Sequence, residues 1–213
     1  MRAGAPATNA RAAVLLVHGR GGSAEDMLGL AAEFCFADVA YVAPQAEGST
    51  WYPQSFLAPL AANEPWLTSA LTLLGDVVAE LNDEGVPAER VVMVGFSQGA
   101  CLAAEFAARH ARRFGGLALL SGGLIGPEGT PREYAGSFEG TPAFVGCSDA
   151  DPHIPPWRVQ ETAQVLASLG AAVTTRIYPG MGHTVNADEV AAVRAMVEAA
   201  SLKIRVDASN IQG

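Results

Sequence analysis

Gly95-Phe96-Ser97-Gln98-Gly99 follows directly on Val91-Val92-Met93-Val94 and leads directly into the alanine-rich stretch 100–108. A serine between two glycines, with a β-favouring run before it and a helix-forming run after it, reads as strand, sharp turn, helix. Small residues at Gly95 and Gly99 let the two arms of the turn pass closely. The turn lifts the Ser97 hydroxyl above a sheet edge, and the following helix points its positive N-terminal end at the same spot. In a chain rich in glycine and alanine the pentapeptide alone could mean only a turn. Its context makes it a candidate nucleophile elbow.

A serine hydroxyl is a poor nucleophile at neutral pH and needs a base, which in turn needs an orienting acid. On an elbow of this kind the partners follow in the order serine, acid, histidine. Of the four histidines, His18 and His110 lie too early or too close, leaving His153 and His183 downstream. His183 ends Tyr178-Pro179-Gly180-Met181-Gly182-His183, a glycine-rich loop between a strand-like run (173–178) and a helix that starts near Asn186. That is the expected place for the base. For the acid, the strand-like run 141–147 is followed by Ser148-Asp149-Ala150-Asp151-Pro152. Either carboxylate could orient His183. Pro152 fixes the backbone and holds Asp151 extended, whereas Asp149 has an alternative use as a turn residue.

Near the N-terminus, Ala12-Ala13-Val14-Leu15-Leu16-Val17 is a continuous apolar run of buried-strand type. It ends in His18-Gly19-Arg20-Gly21-Gly22, with Ser23 placed to cap a helix. Glycines here let backbone amides face a developing negative charge. The expected oxyanion pair is the amide of Gln98 and one in this early loop, that of Arg20, each such donor being worth about 3–4 kcal/mol. His18 reads as a structural histidine holding the loop.

The chain resembles the small carboxylesterases related to acyl-protein thioesterases and lysophospholipases, within the α/β-hydrolase fold. The resemblance rests on His18-Gly19-Arg20-Gly21-Gly22, Trp51-Tyr52, Gly95-Phe96-Ser97-Gln98-Gly99, Leu120-Ser121-Gly122, Asp151-Pro152 with Ile154-Pro155, and Gly180-Met181-Gly182-His183. These span about residues 12–198. The family pattern places the catalytic aspartate immediately before the proline, which favours Asp151 over Asp149. Ala100 and Cys101 stand where the family often has a further glycine. The elements between residues 44 and 65 are shorter than in the eukaryotic thioesterases, which weighs against a long-acyl tunnel. The Gly19–Gly22 run has neither the Rossmann spacing nor the lysine of a P-loop, and no cofactor is implied. Related enzymes are sometimes dimers, so a homodimer stays open; no surface stripe argues for one.

The rest of the chain agrees with one α/β domain over 1–213, its core at about 12–200. Strand-like runs at 12–18, 38–43, 91–95, 117–121, 143–147 and 173–178 alternate with helical stretches at about 24–34, 66–84, 98–110, 156–169 and 187–200. Alternation of this kind implies a mostly parallel sheet with helices on both faces. The composition is 50% hydrophobic and 16% charged, as expected when central strands are buried on both sides. Residues 201–213 read as a frayed tail. A formal net charge of −9 argues against nucleic acid and anionic membrane surfaces. The basic cluster Arg109, His110, Arg112 and Arg113 is local and sits at a helix end. No run reaches the length of a membrane span, and residues 1–10 carry no secretory apolar region, so a cytoplasmic location is expected. Cys35, Cys101 and Cys147 read as buried, reduced thiols, and no metal-ligand spacing is present.

Trp51, Tyr52 and Phe56 lie in a loop-rich stretch that overhangs the C-terminal sheet edge, and Leu124 and Ile125 follow another strand end. Together they are the candidate substrate residues, suggesting an apolar acyl site of modest size for neutral esters or thioesters. The expected activity is hydrolysis of short to medium acyl esters through an acyl-enzyme. Lysophospholipid or acyl-protein thioester cleavage is the nearest alternative. A non-catalytic ligand-binding scaffold is a more distant one, because the candidate triad residues are all present.

Overall fold

A computed structural model describes residues 1–34 and 36–202. Seven strands form one sheet: β1 (Arg2–Gly4), β2 (Ala12–Val17), β3 (Val39–Val42), β4 (Val91–Phe96), β5 (Gly116–Leu120), β6 (Pro142–Ser148) and β7 (Ala172–Tyr178). The order across the sheet is β1-β3-β2-β4-β5-β6-β7. Every neighbouring pair is parallel except β1 with β3. Helices α1 (Ala24–Ala32), α2 (Trp66–Asp83), α3 (Gln98–Arg109) and α4 (Pro156–Ser168) lie in crossovers between strands, β5 runs to β6 through residues 121–141, and α5 (Ala187–Leu202) follows β7.

Successive strand side chains face opposite sides of the sheet, and the core divides accordingly. Leu15, Val17, Met93, Leu117, Leu119 and Val145 pack under α2, α3 and α4. Val14, Leu16, Val92, Val94, Ala118 and Leu120 pack under α1 and α5. All twelve are fully buried, which is why β2, β4 and β5 read as unbroken apolar runs rather than alternating ones.

From β2 the chain moves outward to β3, then returns across β2 to β4 and proceeds the other way. The reversal falls between β2 and β4. In open α/β sheets ligands bind at the carboxyl ends of strands where the order reverses, and those ends carry the Gly19–Gly22 loop and Ser97.

Two expectations need correction. Strand β1 was not foreseen: Arg2-Ala3-Gly4 has no apolar pattern, and the segment is held by antiparallel pairing with β3 and by the terminal ammonium on the Ala43 carbonyl at 2.6 Å. The tail was expected from residue 201, yet α5 continues to Leu202. Ser201 is buried there and its hydroxyl donates to the Val197 carbonyl at 2.8 Å. Residues 203–213 and Cys35 lie outside the described residues. Cys101 and Cys147 are free and buried. The basic cluster is absorbed locally: Arg109 pairs with Glu105 at 2.8 Å, Arg112 covers the Phe114 ring and Arg113 donates to the Glu139 carbonyl. Among the described residues no helix is long and apolar enough to cross a membrane.

Candidate active site

Ser97 links β4 to α3 with φ 55° and ψ −120°, a strained conformation for a residue with a side chain. The flanking glycines are required sterically. A Cβ at Gly95 would lie 2.5 Å from the Gly99 carbonyl oxygen, and one at Gly99 would lie 2.5 Å from the His18 carbonyl oxygen and closer still to that of Val17. Thus α3 leaves the elbow in direct backbone contact with the end of β2. The early loop is equally close, since a Cβ at Gly19 would stand 3.2 Å from Ser97 Cβ.

His183 reaches this serine from the loop after β7. Its Nε2 lies 2.8 Å from Ser97 Oγ and its Nδ1 lies 2.7 Å from Asp151 Oδ2. The Asp151 side chain is fully buried. Burial alone would raise its carboxyl, but hydrogen bonds from His183 and from the amides of His153 and Ile154 outweigh that and hold it below the ordinary value. The Cys147 thiol adds a long contact to Oδ2 at 3.7 Å, and burial together with this carboxylate pushes Cys147 up to about 12. An ionised carboxylate only accepts, so His183 Nδ1 carries the proton and Nε2 presents its lone pair to the serine hydroxyl. This order of groups can remove a proton from a hydroxyl as it attacks.

Asp149, the alternative acid, is used elsewhere: its Oδ1 accepts the Gly180 amide at 2.8 Å. Ser148 Oγ accepts the Gly182 amide at 3.0 Å. The end of β6 therefore fixes the histidine loop at two points. His18 stays away from the serine. The Ala46 amide can only donate, so His18 Nε2 accepts from it (3.1 Å) and Nδ1–H donates to the Gly19 carbonyl at 2.7 Å. Burial lowers the His18 pKa, which keeps the ring neutral in this role.

A profile of the phospholipase/carboxylesterase family matches residues 2–201. The chain belongs to that family. A phospholipase/carboxylesterase of Dyadobacter fermentans has 44% identical residues and a TM-score of 0.89, over 93% of this chain and 95% of the other. Esterase PE8 is 25% identical with a TM-score of 0.78, over 93% and 96%. Acyl-protein thioesterase 1 of Gibberella zeae is 30% identical over 121 residues, 54% of this chain and 50% of that protein. The chain's matches span about half the length of the curated thioesterases. The fold is the α/β-hydrolase fold of its solved relatives.

In this family member a cleft of about 430 Å³ opens over Ser97 and His183. Tyr52 and Phe56, two of the five expected substrate residues, line it with Arg20 and Gln98. The other three do not. Trp51 is buried and borders a neighbouring hollow of about 390 Å³ beneath Trp66 and Leu73. Leu124 and Ile125 are fully buried, because Thr162 Oγ1 and Glu105 Oε2 take their amides at 2.9 and 3.1 Å and turn the segment into the core. The cleft is completed by Pro53, Gln54, Ser55, Cys101, His153 and Ile154, none of which the sequence assigned to substrate. All of them sit within four residues of a residue the sequence did assign to the site, and that proximity was the signal for them. His153 touches His183 edge to face, with ring centroids 4.9 Å apart at 77°.

Proposed function

We propose that the chain is a carboxylesterase-type serine hydrolase, with Ser97 as nucleophile, His183 as general base and acid, and Asp151 as its orienting carboxylate. The observation that carries the reading is the unbroken hydrogen-bonded line Asp151–His183–Ser97, at 2.7 and 2.8 Å. Membership of a family of carboxylic-ester hydrolases supports it. His183 takes the Ser97 proton as Oγ attacks the ester carbonyl carbon, and Asp151 stabilises the imidazolium. The amides of Arg20 and Gln98 receive the oxyanion. His183 then protonates the leaving alcohol, and the same imidazole activates the water that releases the acid.

The cleft supports substrates with short to medium acyl chains. Its walls mix Tyr52, Phe56 and Ile154 with Gln54, Ser55 and His153, so a long alkyl chain would meet polar groups along its length. Likeness to an acyl-protein thioesterase favours thioesters as the second reading, since the same acyl-enzyme forms when a thiolate leaves.

The test is labelling with a fluorophosphonate probe, located by peptide mass spectrometry. The expected result is one adduct on Ser97, absent in Ser97→Ala and strongly reduced in His183→Ala. No adduct on folded protein would leave the elbow unactivated and move the chain to the ligand-binding class. A series of p-nitrophenyl esters from acetate to laurate then reads the acyl limit, with kcat/KM expected to peak below the longest chains.

A further inference from the structure

Residues 51–56 cross the mouth of the cleft as an irregular strap, and side chains from three separate segments satisfy its backbone. Gln98 binds two successive residues of it: its Oε1 accepts the Trp51 amide at 3.0 Å and its Nε2 donates to the Tyr52 carbonyl at 2.8 Å. The Arg20 guanidinium donates to three successive carbonyls, those of Tyr52 at 2.9 Å, Pro53 at 3.1 Å and Gln54 at 2.8 Å. Asn63, fully buried, accepts the Gln54 amide at 2.8 Å and donates to the Ser55 carbonyl at 3.1 Å. Arg20 and Gln98, the two residues whose amides are the proposed oxyanion donors, therefore meet through their side chains at one acceptor, the Tyr52 carbonyl.

We infer that the Arg20 and Gln98 side chains are positioning groups for the reaction, fixing the spacing of their own two amides through the Tyr52 carbonyl. This rests on the acyl-transfer reading above. The need for such a device lies in the loop. Gly21, with φ 76°, and Gly22 follow Arg20 and leave its peptide little intrinsic stiffness. The amides of Gly21 and Gly22 are spent on the Ser49 and Gly19 carbonyls at 2.8 and 3.1 Å. Among the described residues the Arg20 amide donates to no protein acceptor, which suits an oxyanion donor but leaves its direction to be set indirectly. Charge-assisted bonds from a planar guanidinium to three carbonyls can set it. Gln98 anchors the opposite donor from the first turn of α3, so the strap joins the β2 and β4 halves of the site. A lysine at position 20 carries its three donors on one nitrogen and could not reproduce that planar fork across three successive carbonyls.

The experiment uses the full chain with a p-nitrophenyl short-acyl ester, and compares Arg20→Met and Arg20→Lys with wild type. It reads kcat, KM and affinity for a trifluoromethyl ketone, which forms a tetrahedral adduct needing the oxyanion site. The expected result for Arg20→Met is a roughly 10- to 100-fold lower kcat with KM within about threefold, and ketone affinity reduced in step with kcat/KM. Arg20→Lys should fall between. Unchanged kcat with a raised KM would make Arg20 only a wall of the cleft and overturn the inference. So would a loss of kcat without loss of ketone affinity. Should Arg20→Met fail to fold, Arg20→Lys carries the same comparison. Fluorophosphonate labelling of wild type separates the two levels: an unlabelled wild type defeats the acyl-transfer reading itself, whereas a labelled wild type with Arg20-independent kcat defeats only this step.

Discussion

The Asp149 carboxylate holds the Gly180 amide at 2.8 Å, so the acid that does not pair with His183 fixes the loop that delivers it. With Ser148 Oγ on the Gly182 amide, the last residue of β6 and the one after it restrain a segment whose glycines at 180 and 182 both have positive φ. Asp149→Ala should therefore leave the fold intact, with a loss on the order of 1 kcal/mol in stability. Its kcat should fall about tenfold as the imidazole wanders from the serine. Steady-state kinetics alongside thermal melts check this, and an unchanged kcat would show that the glycine loop holds itself.

Asp151→Asn poses a sharper question. Asparagine retains an acceptor for the His153 and Ile154 amides, but its amide nitrogen can turn toward His183 and donate to Nδ1. The ring then carries its proton on Nε2, facing Ser97, and can no longer accept from the hydroxyl. The expected outcome is a kcat roughly 10³- to 10⁴-fold lower, with a far-ultraviolet circular dichroism spectrum like that of wild type. Activity within tenfold of wild type would remove Asp151 from the mechanism.

Gly99→Ala tests the elbow's backbone rather than its side chains. The added methyl would press on the carbonyl oxygens of Val17 and His18, neither of which can move without shifting the end of β2. A loss of about 1–3 kcal/mol is expected, seen as a melting point lower by roughly 3–10 °C. Ser97 labelling should slow as well, because β2 leads directly into the Arg20 loop. A variant that melts with wild type would mean the elbow has slack that the geometry denies.

What the sequence disclosed about the site was what one short window could hold. The elbow and the glycine loop before His183 each combine a candidate residue with its own turn chemistry, so their placement needed no tertiary information, whereas the choice of Asp151 over Asp149 rested on the family resemblance. The parallel sheet was legible for the same reason, since β2, β4 and β5 are apolar runs bounded by glycine. Which side chains line the cleft was not legible. Leu124 and Ile125 face the core because Glu105 and Thr162, distant in sequence, take their amides. Gln54, Ser55 and His153 line the cleft because Arg20 and Asn63 fold the strap, and because Asp151 takes the His153 amide. Strand β1 had no pattern to find, being three residues paired at one edge.

Glu189 gives a prediction in pH. It caps α5 as part of a reciprocal pair: its Oε2 accepts the Asn186 amide at 3.0 Å, while Asn186 Oδ1 accepts the Glu189 amide at 2.9 Å. Its other oxygen, Oε1, is buried without a hydrogen-bond partner among the described residues, against Gly146 of β6. Burial, with a smaller push from Asp188, raises this carboxyl to about 7 against the capping bond from Asn186. A carboxyl that binds its proton more tightly in the folded chain adds stability at low pH, and that contribution declines as pH rises from the unfolded value of 4.5 through about 7. Over this window the contribution is on the order of 3 kcal/mol. Glu189→Gln keeps an oxygen for the Asn186 amide and removes the titration. The difference in melting temperature between variant and wild type should therefore shift in the variant's favour from pH 5 to pH 8. A difference that stays constant across that range would mean Glu189 is ionised throughout, and its buried oxygen would then need a partner other than its own proton.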